Sequence, residues 1–137
     1  MGKSTSVTVL IGDRNSRIRE FMGREFATEG YRVLLAGDGW EVFRILRQEP
    51  RVDLLVLDPD IPNRHGDGLL ERIREEHPDL PIVVHSWRTD EHPFSPSYDA
   101  SDSKAPMVLV VKNGSMDRLK GTAQQLMGGV PDWGDGT

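Results

Sequence analysis

The sequence has no cysteine and no long apolar run. The lack of cysteine excludes disulfide bonds, thiolate catalysis and cysteine-ligated zinc or iron–sulfur centres. The longest apolar run, Met107–Val111, is far shorter than the ~18 residues that a membrane-spanning helix requires. Positive charge is also scarce: the net charge is −5, with arginine and glutamate interleaved, so we expect no direct nucleic-acid partner. These absences predict a soluble, cytoplasmic domain that does not contact a membrane.

The length of 137 residues suits one domain with a single core. Hydrophobic residues make up 36% and charged residues 28%, a balance that excludes a disordered chain. Residues 1–6 are small and polar, and residues 128–137 hold four of the fourteen glycines, so both ends are predicted to be flexible tails. The folded domain is predicted to span residues 7–127.

Between these tails, short apolar runs alternate with segments of helical period. The predicted strands are Val7–Ile11, Tyr31–Ala36, Leu54–Leu57, Pro81–His85 and Met107–Val111. Helical stripes follow each of the first three strands and the last one, and Asn15 or Ser16 is predicted to cap the first helix. Repeated strand–helix units of this length are typical of an α/β fold with a parallel sheet and helices on both faces.

The segment Trp87–Pro106 interrupts this pattern, since it contains three prolines, four serines and no apolar stripe. A proline inside a helix removes a hydrogen bond and clashes with the preceding turn, at a cost of ~3 kcal/mol. We therefore expect the fourth helix of the repeating pattern to be degraded to at most one turn, with substantial disorder.

Polar side chains follow four of the predicted strands, close to the point where each strand ends. They are Asp13, Asp58, Ser86 and Lys112. Because ligands bind beyond the carboxyl ends of the strands in open parallel sheets, we expect these side chains to meet at one edge. Paired carboxylates bind Mg²⁺, Asp58 can act as a nucleophile toward phosphorus, and Lys112 can neutralise the transferring charge. A structural ion pair between Asp58 and Lys112 is the alternative, but four matching positions favour a phosphoryl site.

These residues resemble the receiver domain of bacterial two-component response regulators, over about Val7 to Met127. The strongest match is Leu54–Pro62, which is similar to the phosphoacceptor strand and its loop, and His65-Gly66 stands where the family has Asp-Gly. The resemblance implies a flavodoxin-like, doubly wound, five-stranded parallel sheet in the order 2-1-3-4-5.

The resemblance also implies a role for each site residue. Asp58 would be the phosphoacceptor, Ser86 the switch hydroxyl and Lys112 the lysine that senses the phosphate. Asp13, Asp58 and the backbone carbonyl of Asp60 would hold Mg²⁺. The implied partner is a sensor histidine kinase or a phosphotransfer protein, and a homodimer stays open. The residues left over hold no output domain, so we expect a stand-alone regulator or a piece of a longer chain.

The sequence departs from the family pattern at several positions around this site. They are Gly12, Trp87, Leu109 and Asn113. The family has two adjacent acids after the first strand, so Gly12 predicts weakened Mg²⁺ binding unless the side chain of Asp60 compensates. Trp87 replaces a small residue, and its indole either caps the pocket or packs over the sheet edge.

Two alternatives follow from these departures. In the first, the protein is a pseudo-receiver that binds protein partners without phosphorylation. In the second, Asp58-Pro59-Asp60 is the Asp-x-Asp core of a haloacid-dehalogenase-type phosphatase, but Pro62 stands where that family has threonine. That family also carries its motif on the first strand, whereas here it follows the third. We therefore expect a signalling protein and not an enzyme.

The histidines show no metal-ligand spacing and are predicted to lie at the surface or in loops. They are His65, His77, His85 and His92. His85 adjoins Ser86, and because neighbouring strand residues face opposite sides, its ring is predicted to point away from Asp58.

Overall fold

The computed structural model describes residues 7–63, 68–87, 105–112 and 116–127. Its strands are β1 (Thr8–Gly12), β2 (Arg32–Ala36), β3 (Leu54–Leu57), β4 (Ile82–Ser86) and β5 (Met107–Val111). They form one sheet in the order β2-β1-β3-β4-β5, and every neighbouring pair is parallel. The predicted five-stranded, doubly wound order is therefore confirmed.

Four helices connect and flank the strands in the described part of the chain. They are α1 (Ser16–Thr28), α2 (Gly39–Gln48), α3 (Leu69–Glu76) and α4 (Met116–Leu126). The side chain of Asn15 caps α1, accepting hydrogen bonds from the backbone N–H groups of Arg17 (2.9 Å) and Ile18 (3.1 Å). This cap fixes the chain as it leaves β1 and settles the choice between Asn15 and Ser16. None of these helices is long and apolar enough to cross a membrane.

The core lies on both faces of the sheet because successive strand side chains alternate between them. One cluster joins α2 and α3 to the sheet, with Phe43 and Ile73 packed against Leu55 and Leu57. The other joins α1 and α4 to the opposite face, with Phe26 and Leu119 among its buried members. β3, whose residues are all buried, is covered on both sides, as its unbroken apolar sequence predicted.

Three strands differ by one residue from the sequence prediction: β1 and β4 are each shifted by one residue toward the carboxyl end, and β2 begins at Arg32 and not at Tyr31. β1 extends to Gly12, and β4 ends at Ser86 because Ser86 pairs with Val111 of β5. Other predictions fall outside the described residues: the two tails at 1–6 and 128–137, the degraded helix within 88–104, the His65-Gly66 match and Asn113.

Candidate functional site

Three charged side chains are buried together beyond the carboxyl ends of the strands. Asp13, Asp58 and Lys112 are 0%, 2% and 5% exposed. The Nζ atom of Lys112 lies 3.0 Å from Oδ2 of Asp13 and 3.7 Å from Oδ2 of Asp58. One ammonium group thus faces two carboxylates, which leaves the cluster one negative charge in excess.

Backbone hydrogen bonds that continue the sheet beyond its strands hold these residues in position. The N–H of Asp58 donates to the carbonyl of Gly12 at 2.8 Å, and that of Lys112 donates to the carbonyl of Ser86 at 2.7 Å. The N–H of Asp13 donates to the carbonyl of Ala36 at 3.1 Å. The parallel ladder therefore sets the positions from which these side chains converge.

Ser86, the last residue of β4, is 1% exposed. β4 lies between β3 and β5, and Val84 pairs with Leu57, the residue before Asp58. His85 is therefore level with Asp58, and Ser86 lies one residue further toward the carboxyl end of β4. Together with Asp13, Asp58 and Lys112 it forms what we call the site centre.

Both oxygens of the Asp58 carboxylate accept backbone hydrogen bonds. Oδ1 accepts from the N–H of Asp60 at 3.0 Å, and Oδ2 accepts from the N–H of Arg14 at 3.3 Å. Two hydrogen bonds and the nearby Lys112 ammonium fix the orientation of the carboxylate. A carboxylate held in one orientation at a sheet edge is suited to act as a nucleophile.

The two oxygens of the Asp13 carboxylate have different partners. Oδ1 accepts a hydrogen bond from the N–H of Asn15 at 2.9 Å, whereas buried Oδ2 accepts none among the described residues and faces Lys112. A buried carboxylate oxygen without a hydrogen bond is suited to a hard cation such as Mg²⁺. No group of three or more histidine, aspartate or glutamate side chains that could hold a metal occurs in the described residues. Side chains therefore supply at most two ligands there, from Asp13 and Asp58.

More exposed side chains surround the site centre, and we call them the site mouth. They are Arg14, Asp60 and Trp87. Nε of Arg14 lies 3.5 Å from Oδ2 of Asp58, and its Nη2 atom lies 3.8 Å from Oδ2 of Asp60. Arg14 was not among the site residues predicted from the sequence.

Trp87 is 57% exposed, and its ring centroid lies 5.7 Å from Nζ of Lys112. The indole therefore makes a cation–π contact with the lysine of the site centre.

Gly12 lies where the family has its second acid, and apolar side chains crowd the space beside it. A Cβ atom added there would lie 3.0 Å from Val42, 3.2 Å from Leu57 and 3.3 Å from Ile61. These separations are tighter than ordinary van der Waals contact. The missing carboxylate thus coincides with close packing against α2 and the loop after β3.

His85 lies inside β4, as the predicted strand Pro81–His85 implied, but it is 7% exposed, which corrects the expectation of a histidine at the surface or in a loop. It lines a cavity of about 110 Å³ together with residues of α1, including Ile18 and Met22. Burial first, and then the charge of Lys112, lowers the pKa of His85 from 6.5 to about 4, against an opposing effect of Asp58. The imidazole is therefore neutral at pH 7.

A family model for the response regulator receiver domain matches residues 9–121. This chain belongs to that family. The match runs from β1 into α4 and contains every residue of the site centre. Receiver domains are in general signalling domains, which are phosphorylated on an aspartate and bind Mg²⁺ at that site.

Individual relatives agree with this assignment. Response regulator RR06 of Streptococcus pneumoniae is 34% identical over 93 residues, which are 68% of this chain and 42% of that protein. Response regulator TrrA of Thermotoga maritima, in complex with Mg²⁺–BeF, is 26% identical with a TM-score of 0.73, covering 88% of this chain and 98% of that one.

A chain from the complex of histidine kinase ThkA with TrrA has a TM-score of 0.74 at 24% identity, covering 88% of this chain and 98% of that one, and shows the fold alone. The receiver domain described here spans between 33% and 42% of the length of the first curated relatives that it matches.

Proposed function

We propose that this receiver domain accepts a phosphoryl group on Asp58 from a phosphohistidine of a sensor histidine kinase or a phosphotransfer protein. The observation that carries the proposal is the Asp58 carboxylate, which is buried, held through both oxygens and 3.7 Å from the Lys112 ammonium. A charged nucleophile beside a fixed cation is the arrangement that phosphoryl transfer requires.

In the proposed transfer, an oxygen of Asp58 attacks phosphorus in line with the phosphorus–nitrogen bond of the donor. That bond breaks, its electron pair passes to the imidazole nitrogen, and a proton from solvent or the donor protein restores neutral histidine. The product is an acyl phosphate on Asp58. Lys112 then contacts a phosphoryl oxygen, and the Ser86 hydroxyl donates a hydrogen bond to another.

The residues present fit a magnesium ion. Asp13 offers a buried oxygen without a hydrogen bond, Asp58 offers its carboxylate, and the carbonyl of Asp60 would complete the protein ligands. When bound, Mg²⁺ would neutralise charge on the transferring group. Because Gly12 removes one acid and the Asp60 side chain faces Arg14, we infer weaker Mg²⁺ binding than two adjacent acids would give.

The comparisons support the kinase partner and the metal indirectly. TrrA, which this chain resembles along most of its length, has been crystallised with Mg²⁺–BeF and with histidine kinase ThkA. We infer that this receiver domain likewise binds Mg²⁺ and a histidine kinase. We also infer that it is located in the cytoplasm. A role in signalling without turnover is favoured over a haloacid-dehalogenase-type phosphatase, because the Asp58-Pro59-Asp60 motif follows β3 and not the first strand.

Intact-mass spectrometry after incubation with acetyl phosphate tests this function. With Mg²⁺ present, the protein is expected to gain about 80 Da, the mass of one phosphoryl addition. Asp58→Asn is expected to abolish the gain, and Asp79→Asn, an exposed aspartate in the loop before β4, is expected to keep it. A wild-type protein that stays unlabelled with Mg²⁺, or a label that survives Asp58→Asn, would contradict the proposal.

The second candidate is a pseudo-receiver that binds partners without phosphorylation. The observation that favours it is the position of Gly12, where apolar side chains crowd the place at which the side chain of the family's second acid would begin. An unlabelled wild-type protein that still binds a sensor kinase would support this candidate.

A further inference from the structure

The guanidinium of Arg14 lies between two carboxylates at the site mouth. Nε is 3.5 Å from Oδ2 of Asp58, and Nη2 is 3.8 Å from Oδ2 of Asp60. The side chain is 46% exposed, whereas Asp58 is 2% exposed. Arg14 therefore reaches from solvent to the same oxygen of Asp58 that Lys112 approaches from inside at 3.7 Å.

The two cations at this site are differently engaged. Lys112 is 3% exposed in its side chain and lies closer to Asp13 than to Asp58, so a large share of its charge is matched by Asp13. Among the described residues Arg14 is paired less closely, because its contacts with Asp58 and Asp60 are 3.5 Å and 3.8 Å long and Asp60 is 43% exposed. Exposed ion pairs of that kind contribute little, so the guanidinium can exchange Asp60 for another anion at small cost.

We propose that Arg14 is a phosphoryl-binding residue, which holds the oxygens of the group on Asp58 and supplies part of the positive charge that Mg²⁺ would otherwise supply. This inference rests on the proposed function of Asp58. A guanidinium presents several N–H donors in a planar fork that matches phosphate oxygens, and it stays charged at every physiological pH. A phosphoryl group attached to Oδ2 of Asp58 would extend from an atom that Nε of Arg14 already approaches.

Phosphoryl binding by Arg14 compensates for the glycine at position 12, where the family has an acid. The metal site then has two carboxylate side chains, from Asp13 and Asp58, and we infer a weaker hold on Mg²⁺. A guanidinium at the mouth keeps phosphoryl binding possible when Mg²⁺ is only partly bound. Arg14 should therefore matter most at low Mg²⁺ concentration.

The test compares Arg14→Gln and Arg14→Lys with Arg17→Gln, which removes an exposed positive charge one turn further along without touching the site centre. Labelling by acetyl phosphate is followed over a range of Mg²⁺ concentrations. Arg14→Gln is expected to slow labelling about tenfold at limiting Mg²⁺, the effect of one lost charged hydrogen bond, and less at saturating Mg²⁺. Arg14→Lys should recover part of the rate, and Arg17→Gln should behave as wild type.

Calorimetric titration with beryllofluoride at fixed Mg²⁺ gives a second readout, which needs no transfer step. Arg14→Gln is expected to bind beryllofluoride about tenfold more weakly than wild type or Arg17→Gln. If Arg14→Gln labels and binds like wild type at every Mg²⁺ concentration, the role of Arg14 is overturned while the function of Asp58 stands. If wild type binds beryllofluoride but takes no label, the proposed function fails, and the calorimetric comparison alone decides the role of Arg14.

Discussion

The site centre and the site mouth differ in how closely they follow the family. The centre is nearly closed to solvent and carries the residues to which the resemblance to the receiver family gave roles in phosphoryl transfer. The mouth is about half exposed, and it carries Arg14 and Trp87 around the buried carboxylate. Sheet geometry fixes the centre, because each of its residues lies at or directly beyond a strand end. The mouth is free of that constraint, so it is where this domain can differ from its relatives in metal dependence and donor access.

Removal of the lysine from the centre should have the largest effect on stability. Lys112→Met leaves Asp13 and Asp58 as buried carboxylates without their shared cation. Loss of one partner from a buried ion pair costs about 3–5 kcal/mol, so the free energy of unfolding is expected to fall by that amount. Urea denaturation at pH 7 measures it.

Asp13→Asn is the matched comparison, because it leaves Lys112 paired with Asp58. Its loss of unfolding free energy should be clearly smaller than that of Lys112→Met. Equal losses for the two variants, or a loss below about 1 kcal/mol for Lys112→Met, would show that the centre is not a mutually dependent charge cluster.

The titration of His85, which lines the cavity beside Lys112, predicts how stability depends on pH. Its pKa is lowered to about 4 in the folded protein, first by burial and then by Lys112, against 6.5 as the ordinary value. Between pH 6.5 and pH 4, His85 is protonated in the unfolded chain but stays neutral in the folded protein. The stability that His85 contributes is therefore complete above pH 6.5 and is lost as the pH falls toward 4.

The variant His85→Gln removes this titration and keeps a polar side chain. Between pH 7.5 and pH 4.5, wild type should lose about 2–3 kcal/mol more unfolding free energy than the variant. Parallel losses in the two proteins would mean that the imidazole takes up its proton as easily in the folded state as in the unfolded one.

The crowding at Gly12 predicts a smaller loss of stability than the changes at Lys112 and His85. Gly12→Ala adds a Cβ atom 3.0 Å from Val42 and 3.2 Å from Leu57, so unfolding free energy should fall by about 1–3 kcal/mol. Gly121→Ala is the control, since nothing lies within 4 Å of its added Cβ and an alanine inside a helix is favourable by about 0.5–1 kcal/mol. Thermal unfolding should thus shift the two variants in opposite directions, and a stabilised Gly12→Ala would contradict the crowding.

The residues of the site centre could be predicted from the sequence, because each of them ends or follows an apolar strand. The unbroken apolar run Leu54–Leu57, with Asp58 after it, was enough to predict a buried parallel strand and a polar edge residue. Lys112 was predictable in the same way from Met107–Val111. The strand order could not be read from apolar patterns alone, since they do not say which strands are neighbours, and it came from the family resemblance.

Two features had no local signal. The contact of Arg14 with Asp58 depends on the course of a long exposed side chain, which periodicity does not determine. His85 lines a cavity with side chains of α1 and α4, and a single polar residue after an apolar run gives no indication of those neighbours. In both cases tertiary packing determines the surroundings of the side chain, and the local sequence pattern does not.

The smallest expected effect on stability is at Trp87. Trp87→Ala removes the cation–π contact between its largely exposed indole and the buried Lys112 ammonium, at a cost of about 0.5–1 kcal/mol. Trp40→Ala is the matched control, because Trp40 is 50% exposed and contacts Arg44 at the same 5.7 Å distance, away from the site. The two variants should lose similar stability, but Trp87→Ala alone should take label from acetyl phosphate faster. Equal labelling rates would mean that the indole does not restrict access.

The central claim is that Asp58 is the residue that receives the phosphoryl group, and chemical mapping tests it most directly. Borohydride reduces an aspartyl phosphate to homoserine, which peptide sequencing by mass spectrometry locates along the chain. After treatment with acetyl phosphate and Mg²⁺, homoserine is expected at position 58. Homoserine in place of Asp13 or Asp60, with Asp58 unchanged, would contradict the account.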